Sequence, residues 1–323
     1  MLLFIFIQGL VLSVFSIPMV FYGPFKNTRD MLVTTAMTTL NHQYLAKTFL
    51  SEKVIKGIMD ENQVNDIEEK TDETAIVIPQ SVIDDKVDTN KVDKIDKTGI
   101  VYTNVSTGKF KAHLLEITNP ARVSIGTSDK IGVSGMKLDA IAKRYNAVAA
   151  INAGGFSDIN GQGNGGTPEG ALIENEKVLF GNSTTKYEII GINEQNVLVL
   201  GRYNLQELKE AKIRDAASFG PFLIVNGKPL ITEGNGGGGL QPRTLIGQKV
   251  DGTIMFLVID GRQISSIGAT LKQAQDIMLE HGAFNAANLD GGASTQMVFN
   301  GQTMNHPCSN YGPRSIPSGF IVQ

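Results

Sequence analysis

A single cysteine, Cys308, stands in 323 residues, which excludes an intrachain disulfide framework and a cysteine-rich metal site. Histidine is also scarce, with four residues, and the carboxylates do not gather around them. That argues against a two-metal hydrolytic centre. Basic residues form no cluster and do not interleave with aromatics, so nothing marks a nucleic-acid surface. The formal charge of −3 is close to balance. Glycine, by contrast, is abundant: 35 residues are too many for a mainly helical chain.

Two local absences divide the chain. Residues 2–22 carry no charge and are long enough to cross a bilayer, so residues 1–23 are read as a transmembrane signal-anchor. No A-x-A type cleavage site follows, which favours a retained anchor. Lys26 and Arg29 lie just after the span with nothing basic before it, so the true start is expected upstream, with a basic region. Residues 60–97 lack aromatics and hold twelve acidic residues against five lysines. Such composition predicts a solvated acidic linker over 60–98. Between them, Leu32, Val33, Ala36, Met37 and Leu40, then Tyr44 to Ile58, predict a juxtamembrane helix over 28–58 within a 24–59 segment.

From Gly99 the pattern becomes strand-like. Apolar runs at 110–117, 122–126, 147–151, 187–192, 222–225, 244–247 and 254–259 read as strands, and 138–145 and 270–281 as helices. The fold class is α+β: a mixed, strand-rich single catalytic domain over 99–323 with a few packed helices.

The stretch Asn288-Leu289-Asp290-Gly291-Gly292-Ala293-Ser294-Thr295 breaks an apolar run with a carboxylate, two glycines and two hydroxyls. Glycines there permit a sharp turn and close approach of a ligand. Asp290, Ser294 and Thr295 would offer an acid/base group and two donors around one point. Ile259-Asp260-Gly261-Arg262 repeats the plan. A glycine-rich loop, Gly234 to Leu240, delivers Arg243 to the start of a strand, and Arg314 stands near the end. Bare amides and a guanidinium suit an anion, especially phosphate. The loop matches neither nucleotide-binding glycine pattern. Asp158, Asn160 and Glu169 fit the spacing of a calcium loop, with Gln162 at its fifth position and no flanking helices, so the alternatives are Ca2+ or a loop at the site mouth.

Six ordered motifs carry a resemblance: INAGGF (151–156), FGPFLIVNGK (219–228), QPRTLIG (241–247), VIDGR (258–262), NLDGGAST (288–295) and PR (313–314). In these the chain resembles the phosphodiester glycosidase family, whose best-known members uncover mannose 6-phosphate by removing N-acetylglucosamine. Two departures stand out. Ala153 displaces the first glycine of the family's NGGFF, and Ala293-Ser294-Thr295 replaces Gly-Ser-Ser. Both bear on substrate fit more than on chemistry, because a hydroxyl survives at each polar position.

The resemblance implies hydrolysis of a sugar-1-phosphodiester at the anomeric C–O bond, with no required cofactor. It implies Asp290 and Asp260 as carboxylates, with Glu169 in reserve. Arg243 and Arg314 would clamp phosphate, and Asn152, Ser294 and Thr295, with Gly291 and Gly292, would hold the substrate. The anchor is also similar to that of membrane-bound bacterial members connected with exopolysaccharide or cell-wall glycans, which places the domain outside the cytoplasm. Two rival readings remain: a metal-dependent phosphodiesterase breaking P–O, and a non-catalytic glycan-binding domain.

Overall fold

The computed structural model describes residues 8, 14–39, 42–80, 99–158, 163–309 and 312–323. Its centre is a set of three sheets, and every strand pairing is antiparallel. Seven strands form the largest, in the order Ile100–Asn104, Ala112–Ile117, Ile254–Ile259, Arg243–Gln248, Asn285–Asn288, Phe222–Val225, Lys228–Pro229. The second runs Lys177–Phe180, Leu172–Glu174, Ile213–Ser218, Tyr187–Asn193, Leu198–Tyr203. The third runs Gln302–Thr303, Met297–Phe299, Ala149–Asn152, Ser318–Val322, Val123–Thr127.

Strand Ile254–Ile259 shows why this arrangement holds. All six residues are apolar and buried. Ile254, Phe256 and Val258 join the central core shared by the three sheets, while Met255, Leu257 and Ile259 face the opposite side. Side chains alternate across a strand, so a continuous apolar run suits a strand covered on both faces. The cover on the far side is helix Leu271–Glu280, which buries Leu271, Ala274, Gln275 and Met278. A capping box between Thr270 and Gln273 starts that helix. Helix Leu138–Arg144 covers the outer face of the third sheet, and helix Leu205–Glu210 that of the second. The strand-rich α+β expectation is met.

The N-terminal region departs from expectation. In place of one helix over 28–58 stand Lys26–Met37, Tyr44–Lys47 and Glu52–Glu61, the last begun by Ser51 accepting from Val54 N–H. They enclose their own small core of Val33, Ala36, Ala46, Leu50, Ile55 and Ile58, joined by Phe21, which stacks on Phe49. Most of the apolar run 2–22 lies outside the described residues, and among those described no helix is long and apolar enough to cross a membrane.

Residues 63–78 correct the linker reading. They lie along the domain as a strap, because their backbone groups find partners there. Asn65 N–H donates to Leu230 O (2.9 Å), Thr71 N–H to Leu200 O (3.0 Å) and Val77 N–H to Val250 O (2.8 Å). Asp72 N–H donates to Asn226 Oδ1 (2.8 Å), and Leu200 N–H donates to Thr71 Oγ1 (2.9 Å). The rest of the predicted linker, 81–98, lies outside the described residues.

Candidate active site

The turn at Asp290 is fixed from three sides. Leu289 N–H donates to Thr244 O (2.8 Å), Asp290 N–H to Ala153 O (3.0 Å) and Gly292 N–H to Pro242 O (3.1 Å). Asn152 donates its Nδ2 to Asp290 O (2.6 Å), while its Oδ1 accepts from Thr244 Oγ1 (2.8 Å) and Gln296 N–H (3.0 Å). Asn152 is therefore a buried brace for the turn, with its polar atoms already engaged. Both glycines are required. A Cβ at Gly291 would stand 2.9 Å from Pro242 O, and Gly292 has φ +59°, beside the Arg262 guanidinium.

Asp290 itself is half-buried. Burial pushes its carboxyl up to about 6, aided by the charge of Glu169 and opposed by the Ser294 hydrogen bond, Arg314 and the Gly291 N–H. Glu169 is exposed, and its Oε2 would lie 3.4 Å from a Cβ on Gly155. The glycine there leaves room between Glu169 and the Phe219 ring, 3.0 Å from the same point. Asp290, Glu169, Ser294 and Arg314 thus make one flank of the turn. The family departure Ala153 is absorbed in the central core, where it is fully buried.

The other expected residues are placed less simply. Asp260 is 2% exposed, and its carboxylate accepts from Asn305 Nδ2 (3.0 Å) and from the His306 N–H (3.0 and 3.1 Å). It braces the 305–306 loop and is not brought to Asp290's flank. Thr295 is 1% exposed, with its hydroxyl unpartnered among the described residues. Arg314 donates to Asp158, and the pair holds Asp158 below and Arg314 above their ordinary values. Asp158 also accepts from Gly163 N–H (2.7 Å). Its carboxylate is committed to closing this loop. Asn160 lies outside the described residues, and among those described no group of three or more His, Cys, Asp or Glu could hold a metal.

Arg243 is buried, and its guanidinium donates to the carbonyls of Ala269 (3.1 Å), Gly238 (2.9 Å) and Gly239 (2.7 Å). The glycine-rich loop is a sleeve around this side chain; a Cβ on Gly238 would stand 2.8 Å from its Nη2. Burial, with Arg262 nearby, lowers the guanidinium to about 9, so it remains charged at neutral pH. Among the described residues neither Arg243 nor Arg262 has a carboxylate partner. Arg262, quoted in the sequence motif without a role, is exposed, lies in the left-handed region (φ +58°), and donates its Nε to Gln241 Oε1 (2.7 Å). Its signal was the residue after an Asp-Gly turn.

Both arginines line a cavity of about 610 Å³ on the second flank of the turn, with Asn288, Gly291 and Gly292. Asn288 donates to Gly220 O (2.9 Å), and its buried Oδ1 is unpartnered among the described residues. The site therefore joins a carboxylate group, Asp290 with Glu169 and Arg314 nearby, to a cavity lined by two arginines through the two glycines that follow Asp290. That pattern suits a substrate with an electrophilic carbon next to an anion.

The phosphodiester glycosidase family model matches residues 145–323, more than half the chain and every site residue named above. The SPbeta prophage-derived protein YomE of Bacillus subtilis (strain 168) is 28% identical over 193 residues, 58% of this chain and 29% of that protein. The chain thus spans less than a third of that relative. Among solved structures, the catalytic domain of zebrafish N-acetylglucosamine-1-phosphodiester alpha-N-acetylglucosaminidase, auto-inhibited by its pro-peptide, superposes with a TM-score of 0.58 at 22% identity, covering 69% of this chain and 82% of that one. A Burkholderia pseudomallei K96243 protein gives 0.51 at 16% identity, covering 66% and 74%. At these identities the likeness is one of fold.

Proposed function

The chain belongs to the phosphodiester glycosidase family, and from that premise we propose that it hydrolyses the anomeric C–O bond of a sugar-1-phosphodiester carried on a glycan. Water supplies oxygen to the anomeric carbon, the C–O bond breaks, and its electrons remain on the phosphate oxygen. The products are a free sugar and a phosphomonoester. Glycoside hydrolysis ordinarily uses one carboxylate at the anomeric carbon and one acid at the leaving oxygen. A leaving phosphate needs little protonation, since its second pKa is about 6. Cations can stabilise it instead.

The observation that carries the reading is the two-sided turn. Asp290, with Glu169, faces one flank, and Arg262, with the charge of Arg243 behind it, faces the other. Asp290 acts in its ionised form, as base or nucleophile; above about pH 6 that form is available. The zebrafish enzyme's named linkage, an N-acetylglucosamine-1-phosphodiester, is the first compound class to assay. The uncharged run 2–22 supports a membrane-attached setting, with glycans of the cell surface or an exopolysaccharide as substrate.

Hydrolysis in oxygen-18 water tests the bond assignment. Label in the released sugar is the expected result. Label in the phosphomonoester would mean P–O cleavage, and no turnover with retained glycan binding would leave a binding domain.

A further inference from the structure

The N-terminal helices lie outside the family-matched segment 145–323, yet they build part of the site's second flank. Leu240 N–H donates to Thr35 Oγ1 (3.0 Å), Asn235 N–H to Asn62 Oδ1 (3.0 Å), and Thr38 Oγ1 to Gly238 O (3.3 Å). A Cβ on Gly239 would stand 2.3 Å from Thr35 Cα, so that glycine is what lets the helix seat on the loop. The seated helices wall the 610 Å³ cavity with Met59 and with Thr38 at the end of the first helix, and the start of the strap adds Gln63 and Val64. They also form one side of a neighbouring cavity of about 750 Å³, and Thr38, Gln241 and Arg262 are common to both.

The second cavity has a definite chemistry. Its outer wall is the 262–267 turn, where Ile264 is fully exposed and Ile267 is 46% exposed. Its inner wall brings His42 and the Thr38 and Thr39 side chains, and Gln241 and Gln263 complete it. Apolar edges with a polar rim suit a ring that has a C–H face and hydroxyl edges. Gln241 is bonded to Thr38 and Arg262, and Gln263 to the His306 carbonyl, so an alkyl chain would strip water chiefly from the exposed His42 imidazole without replacing its hydrogen bonds. The guanidinium of Arg262, at the junction, suits a phosphate at the start of such a group.

We infer that the N-terminal helices and the 262–267 turn form a selective subsite for the group esterified to the phosphate, and that this group is a hydroxylated ring, with His42 and Ile264 as its specificity-determining contacts. The inference rests on the reading of the chain as a sugar-phosphodiester hydrolase, but binding tests it apart from turnover. Glucose 6-phosphate, methyl phosphate and octyl phosphate are titrated calorimetrically into the full chain, into Ile264→Ala and into His42→Ala. Ile264 is fully exposed, so its replacement leaves the fold intact.

The wild type is expected to bind glucose 6-phosphate about tenfold more tightly than methyl phosphate, with that ratio falling towards one in both variants. Arg262→Ala should weaken all three phosphates together. A ratio near one in the wild type, a ratio the variants do not change, a preference for octyl phosphate, or no binding of any phosphate would overturn the inference. So would faster turnover of every diester in both variants, which would make the helices an inhibitory cover. If the ratios behave as expected but labelled water enters neither product, the subsite stands and the hydrolase reading falls.

Discussion

Leu289-Asp290-Gly291-Gly292 and Ile259-Asp260-Gly261-Arg262 are twins in sequence, each an Asp-Gly that follows a fully buried strand. Their strands are separated in the sheet only by Arg243–Gln248. The two carboxylates nevertheless have opposite surroundings. Asp260 receives three contacts from Asn305 and His306 and is sealed away. Asp290 has the Ser294 hydroxyl and the Gly291 N–H as its hydrogen-bond donors, and burial outweighs them, so its proton is held to about pH 6. Hydrogen bonds to the charged form settle a carboxylate into a structural role; burial with too few donors leaves it reactive.

The largest effect expected from this contrast is at Asp290. Asp290→Asn keeps the shape and removes the charge, so turnover should fall about 100-fold or more. Stability should hold or rise. The native carboxyl keeps its proton to about 6, whereas an unfolded one releases it near 3.8. The group therefore favours the fold below that range and costs stability above about 6, a cost the amide removes. Single-turnover rate and melting temperature on one preparation check both halves. A destabilised but fully active variant would break the contrast.

Next in size is the cationic flank. Arg262→Ala should raise KM for a sugar-1-phosphodiester roughly 10-fold or more, on the scale of a charge-assisted hydrogen bond. Phosphate product inhibition should weaken in parallel; equal inhibition of variant and wild type would detach Arg262 from the phosphate.

Smallest in rate, and visible chiefly in stability, is the twin. Asp260→Ala leaves the His306 N–H without its acceptor and Asn305 Nδ2 with its bond to Thr295 O alone, which should cost about 1–3 kcal/mol. Chemical denaturation should show that loss, and the rate per folded molecule should stay within a few-fold of wild type. A loss of rate comparable to that of Asp290→Asn would place Asp260 in the chemistry.

Much of the domain was legible because its strands are buried on one or both faces: Ile254–Ile259 stands where its apolar run lies, and helix Leu271–Glu280 begins at the Thr270 cap. The Gly291–Gly292 turn was legible for the same kind of reason, since only glycine fits there. What separates Asp290 from Asp260 was not, because the donors to Asp260 come from a loop some 45 residues away in sequence. Nor could the glycine-rich loop be seen as a sleeve for Arg243, since its carbonyls do the work expected of its amides. The strap over 63–78 escaped notice because composition counts side chains, whereas Asn65, Thr71 and Val77 dock through their backbone.

The claim on which the account depends is that Asp290 reacts as an ionised carboxylate with a raised pKa. The pH dependence of kcat/KM, from about 4.5 to 8, for wild type and Asp290→Asn reports on it directly, since this profile carries the pKa values of the free enzyme. A phosphodiester substrate stays singly charged across that range, so a limb belongs to the protein. The account predicts a rate that rises with pH through a midpoint near 6 in the wild type, with that limb gone from the residual activity of Asp290→Asn. The same rising limb persisting in Asp290→Asn, or a wild-type rate that falls through pH 6, would contradict it.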